Sequence, residues 1–132
     1  AYRLLAEFMS PRLKKGAHVI DISGTGGNFA VHLAAIRKDL RLHVVQPQLA
    51  YVNGARELVK RKGTTNVQVV KDDIRSFGLY ANDRTQAVVI CFGSSAYSSE
   101  RDLKQTLNSV KGLFDKFKTG AMIFDFSRPK SS

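Results

Sequence analysis

A single cysteine, Cys91, stands in the whole sequence. One thiol closes no internal disulfide, so the fold must rest on a packed core rather than on cross-links. That usage predicts a reducing, intracellular compartment, with the cytoplasm as the expectation. No apolar run approaches the roughly 18 residues of a membrane span. No basic start, apolar centre and small-residue cleavage site marks a signal peptide. No membrane partner is therefore expected. His18, His32 and His43 share no metal-ligand spacing, so core or surface positions are expected and no metal. Cys91 ends an apolar stretch without a histidine in motif spacing, and reads as a core residue rather than a nucleophile.

Acidic residues are also scarce: 11 against 21 lysines and arginines, for a net charge of +10. Such a surplus raises the local concentration of anions and could attract nucleic acid or acidic lipid. The cations are scattered, however. Their densest cluster, Lys60-Arg61-Lys62, falls where a helix is expected to end and complements its dipole. A solvated surface is the preferred reading of that cluster. No interleaving of aromatic and basic residues marks a nucleic-acid stacking platform.

What is present is the hydrophobic content of one globular domain, 43% over 132 residues. Apolar runs alternate with helical spacings. Residues 17–22 read as a buried strand before a glycine cluster. Phe29, Ala30, Leu33, Ala34 and Ile36 then form a helical face over 28–37. A second strand over 42–46 leads through Pro47 to a helix over about 48–62. That helix is expected to bury Leu49, Val52, Ala55 and Val59 and to end on Gly63. Strands follow over 66–71, 86–92 and 121–126. Before the last, Ser99 and Asp102 suggest a capping box for a helix of about 18 residues. That helix's apolar face is Leu103, Leu107, Val110, Leu113, Phe114 and Phe117. Strand–helix alternation predicts an α/β fold with right-handed βαβ crossovers.

The most informative stretch is Val19-Ile20-Asp21-Ile22-Ser23-Gly24-Thr25-Gly26-Gly27-Asn28-Phe29. Small residues between a strand and a helix let a ligand approach the backbone, and the helix start offers unpaired amides. A tight turn without a ligand is the plainer alternative. A nicotinamide fingerprint would use Gly24 and Gly26, but its third small residue falls on Phe29 and its ribose-binding acid is missing.

In this stretch the chain resembles class I S-adenosylmethionine-dependent methyltransferases, whose first motif is an apolar strand, an acidic residue and alternating glycines. Asp21 takes the acidic place. The glycine places fall on Ser23, Thr25 and Gly27, with Gly24 and Gly26 between them. The resemblance continues through Val44-Val45-Gln46-Pro47 and Ala55-Arg56-Glu57. It extends to Asn66 through Phe77 and Gln86 through Tyr97, then from Glu100 to Phe126, where Lys118-Thr119-Gly120 replaces the usual Lys-Pro-Gly. The Cys-Phe-Gly-Ser-Ser block at Cys91–Ser95 is similar to the branch acting on small molecules and sugar amines.

The resemblance implies a doubly wound, Rossmann-like parallel sheet in the order 3-2-1-4-5 with helices on both faces. It implies a domain over 1–126 that stops after the fifth of the family's seven strands, and a tail over 127–132. It further implies S-adenosylmethionine as cofactor and a small-molecule or amine acceptor. Asp21 would orient the loop, and Ser23, Gly24, Thr25, Gly26 and Gly27 would face the methionine part. Asp73 would accept from the adenine amine and Ile74 would offer its amide. Phe92 and Gly93 would line the cofactor, and Ser94, Ser95 and Tyr97 the acceptor. No catalytic side chain is assigned. Gln46 departs from the family's Asp or Glu, which accepts from both ribose hydroxyls; an amide has only one acceptor oxygen. Together with Ser23 and Thr25 it sustains a rival reading, a non-catalytic domain that kept the fold and serves as a binding or interaction module. A basic nucleic-acid-binding domain is a third reading, resting on charge alone.

Overall fold

A computed structural model describes residues 2–22, 26–72, 87–91, 101, 104–105, 108 and 120–124. In chain order these contain α1 (Tyr2–Met9), a 3-10 turn (Ser10–Arg12), β1 (His18–Asp21), α2 (Asn28–Ile36), β2 (Arg41–Gln46), α3 (Leu49–Lys62), β3 (Val67–Lys71), β4 (Ala87–Cys91) and β5 (Gly120–Phe124). The five strands form one sheet in the order β3-β2-β1-β4-β5. Every neighbouring pair is parallel. Parallel neighbours require crossovers, and the helices between β1, β2 and β3 supply them.

Side chains alternate between the faces of a strand. Val19, Leu42 and Val44 therefore share one face, and all three are at most 1% exposed. The core cluster joins them to Ala6 and Met9 of α1, Phe29, Ala30, Leu33 and Ala34 of α2, and Ala55 of α3. α1, α2 and α3 thus contribute to a single core on one face of the sheet. Each large side chain removed from water there contributes about 1.5–3 kcal/mol. Ile20 and Val45, on the second face, are also buried. β1 is covered on both faces, as expected of a central parallel strand.

The expected burial pattern needs two corrections. Leu49 is 54% exposed, not core. It sits at the start of α3, where the apolar stripe turns away from the sheet. In α3 the buried positions are Val52, Ala55 and Leu58, while Val59 is half-buried. Spacing had favoured Val59, but the three-residue step to Leu58 keeps the stripe on the strands. Gly63 does end α3, in the left-handed region at φ +67°. α1 had no counterpart in the sequence reading.

The amino-terminal edge of the sheet is stapled by Arg37. Its guanidinium donates to Asp39 and to the carbonyls of Ser10 and Leu13. Asp39 also accepts from the Gly16 amide at 2.9 Å. The Arg37 hydrogen bond, followed by the Gly16 amide, holds the Asp39 carboxyl well below its ordinary range.

Candidate functional site

Parallel strands bring all carboxyl ends to one edge, where ligands of open α/β sheets bind. Asp21 closes β1 and Gln46 closes β2; they are 1% and 8% exposed. Asp21 lies opposite Val44, so Gln46 stands two residues further along the same face. The amide of Asp72, just past β3, donates to the Gln46 carbonyl at 3.0 Å. That bond ties the ends of β2 and β3 together. A buried carboxylate and a buried amide thus stand at neighbouring strand ends, on the face that carries α2.

Between β1 and α2 runs the glycine turn. Gly26 and Gly27 have φ of +67° and +90°, a region L side chains rarely adopt. Gly27 caps α2 without a side-chain hydrogen bond, and its carbonyl accepts from the Val31 amide. A Cβ on Gly27 would lie 3.4 Å from the Ala55 side chain. Its lack of a side chain therefore serves backbone direction, with Ala55 of α3 at ordinary contact distance. The result is a turn of bare backbone leading into a helix start, whose amides favour anionic or strongly polar ligand groups.

Of the residues the sequence pointed to, the structure brings Asp21, Gly26, Gly27 and Gln46 to this one edge. Ser23, Gly24, Thr25, Asp73, Ile74, Phe92 and Gly93 lie outside the described residues, as do Ser94, Ser95, Tyr97 and the capping box. β4 and β5 end at the same edge, at Cys91 and Phe124. Among the described residues no three metal-ligating side chains cluster. No helix among them is long and apolar enough to cross a membrane.

Sequence reasoning missed a polar row on the second face. His18 and His43 stack with centroids 5.2 Å apart. The Nδ1 of His18 lies 3.0 Å from the Nε2 of His43, whose Nδ1 lies 3.3 Å from the Gln68 side-chain oxygen. Burial first, then the His43 and Arg41 charges, pushes His18 down to about 4. Burial also lowers His43, opposed by Gln68. Both rings are therefore neutral at pH 7. Period-2 alternation puts each histidine on this face, but only the strand register makes them neighbours.

No known family profile matches the chain, and no curated protein matches it significantly. Solved structures do resemble it. A precorrin-6y C5,15-methyltransferase from Geobacter metallireducens superposes with a TM-score of 0.68 at 17% identity, over 92% of this chain and 59% of that one. An rRNA methylase from Streptococcus thermophilus gives 0.63 at 14% identity, over 92% and 69%. A coclaurine N-methyltransferase bound to N-methylheliamine and S-adenosylhomocysteine gives 0.55 at 22% identity, over 68% and 27%. The chain thus spans between about a quarter and two thirds of these proteins. The likeness establishes a methyltransferase-type, Rossmann-like α/β fold. The names of the three differ in what is methylated, so the fold does not choose an acceptor.

Proposed function

We propose that this chain is the cofactor-binding domain of an S-adenosylmethionine-dependent methyltransferase acting on a small-molecule or amine acceptor. The observation that carries the reading is the bare-backbone turn at Gly26 and Gly27, set between buried Asp21 and buried Gln46 at the carboxyl edge. The residues present fit the cofactor. A Cβ-free turn accepts a bulky ligand against the main chain. Asp21 supplies a buried carboxylate at the strand end, and Gln46 one acceptor and one donor group at the neighbouring end. When bound, the cofactor would supply a methyl group open to in-line displacement. The protein's share is orientation and proximity. Gly26, Gly27 and their neighbours Ser23, Gly24 and Thr25 would hold the methionine part. Gln46 would meet the ribose, Asp73 and Ile74 the adenine, and Phe92 and Gly93 the far wall. Helices on both faces, a domain over 1–126 with a 127–132 tail, and a cytoplasmic location belong to the same proposal.

Calorimetry with S-adenosylmethionine and S-adenosylhomocysteine tests it. The chain is expected to bind both, weakly, because Gln46 stands where a carboxylate would accept twice. Gln46→Glu should tighten binding about 10-fold, since charge-assisted hydrogen bonds are roughly twice as strong as neutral ones. Asp73→Ala should weaken it. If the folded parent and the Glu variant both fail to bind at millimolar concentration, the domain is a binding module that kept the fold.

A further inference from the structure

A groove of about 260 Å³ runs along α3 beside the glycine turn. Its floor is Gly54, Ala55 and Leu58. Tyr51, Ala50 and Arg61 of α3 also line it, as do Gly26 and Asn28 at the turn. It lies below the roughly 300–1,000 Å³ of enclosed small-molecule pockets. An exposed site for one planar ring at a time suits it better.

Gly54 is the residue that needs explaining. A glycine inside a helix is less favourable than alanine by about 1 kcal/mol. At Gly27 the φ of +90° accounts for the missing side chain. At Gly54 a Cβ would meet nothing within 4 Å, so no internal packing requires it. What the absent side chain does is leave the groove open. Arg61, about two turns on from Gly54, lines the same groove. Tyr51, which also lines it, is 51% exposed. α3 carries Arg56, Lys60, Arg61 and Lys62 against Glu57 alone. Arg56 is engaged with the Val69 carbonyl. Arg61 joins no ion pair among the described residues.

We propose that the α3 groove docks a single-stranded nucleic acid, one base stacking on Tyr51 over the Gly54 gap and the adjoining phosphate meeting Arg61. The combination of an exposed ring, a bare helical backbone and an unpaired guanidinium in one groove is what such a strand needs. A duplex hides its ring faces, so the strand is unpaired. The net charge of +10 complements the phosphates. In the sequence Tyr51 and Arg61 are ten positions apart, and only the helix places them on one stripe. The groove shares Gly26 with the proposed cofactor turn, but the residues that would meet the strand, Tyr51, Gly54 and Arg61, belong to α3, and oligonucleotide binding is read separately from cofactor binding.

Fluorescence anisotropy with a labelled oligouridylate tests it, with melting temperature measured on every variant. The parent is expected to bind, and more weakly as salt rises from about 50 to 200 mM. Tyr51→Ala should weaken binding about 5- to 100-fold, the range for loss of one stacked base. Gly54→Leu fills the groove and replaces a poor helix former by a good one. It should raise the melting temperature and weaken binding. Arg61→Ala should lower affinity more than Lys15→Ala or Lys38→Ala, which lie outside the groove. Equal losses from all three cations, or unchanged affinity in the folded Gly54→Leu protein, overturns the proposal in favour of diffuse charge attraction. Displacement of the oligonucleotide by polyglutamate at equal charge overturns it in favour of an acidic protein partner. Uridine monophosphate binding as tightly as the oligomer overturns it in favour of a free nucleotide.

Discussion

The two faces of the sheet are built on different chemistry. One carries Val19, Leu42 and Val44 against Phe29, Leu33 and Ala55, with only apolar contacts near its centre. The other carries buried Ile20 and Val45 but also the row His18, His43 and Gln68. The strands supplying both faces are the same, and alternation along β1 and β2 sorts their residues. The centre of the apolar face, inward of Asp21, derives its stability from burial, which is insensitive to pH. The polar row is stable only while both imidazoles stay neutral, because charging a buried ring forfeits solvation. One sheet therefore combines a face that is apolar at its centre with a face that carries two titratable rings at its own.

The largest expected effect lies on the apolar face. Phe29 is fully buried, and Phe29→Ala should cost about 3–5 kcal/mol in urea unfolding. A loss under about 1 kcal/mol would mean that α2 is not the keystone of that face. Where α2 begins, Gly27→Ala must place a side chain at φ +90° and against Ala55. About 1–3 kcal/mol of strain is expected. An unchanged urea midpoint would show that the turn relaxes and that α3 does not press on it.

The polar face should reveal itself by pH. The ordinary value of 6.5 is that of the unfolded chain, and His18 falls to about 4 on folding. Above 6.5 neither state takes up the proton, and the stability is fully present. Below 6.5 the unfolded chain binds protons that the folded one refuses, so stability falls from there down to about 4. His43, also lowered, works in the same direction. Asp39 does not confuse this window. Its folded value is depressed, so its contribution is lost only below its ordinary 3.8. The urea midpoint should decline between pH 7 and 4.5, and His18→Gln should flatten that decline. A parent curve level across this range would show that the His18–His43 row does not respond to protons. The smallest effect belongs to α1. Its Arg3–Glu7 pair is 3.7 Å apart, with side chains 71% and 53% exposed. Glu7→Gln should change stability by less than about 0.5 kcal/mol, because α1 is held by Ala6 and Met9 on the apolar face.

Much of this architecture was legible beforehand. Short apolar runs bounded by glycine and polar residues marked each of the five strands to within one or two residues, and for β1 the reason is burial on both faces, which demands continuous hydrophobicity. Gly63 was legible as a helix end because few other residues accept a positive φ. The candidate site was legible in part. Asp21, Gly26, Gly27 and Gln46 come together because a strand end and the following turn are contiguous in sequence, and because β2 lies beside β1. Leu49 and Val59 were misplaced because spacing says which residues share a helix face, not where that face leaves the sheet.

The sequence by itself determined the elements: where strands are buried, where helices stop, and which loop has no side chains to keep a ligand away. These are local properties, set by hydrophobic period and by the steric freedom of glycine. Only the tertiary structure decided what lies beside what. His18 and His43 are 25 positions apart, and the parallel register of β1 and β2 is what stacks them. A side chain on Gly27 would come into contact with Ala55 of α3, whereas one on Gly54 would meet nothing within 4 Å. That distinction is a matter of distances between separate elements, which local patterning does not encode.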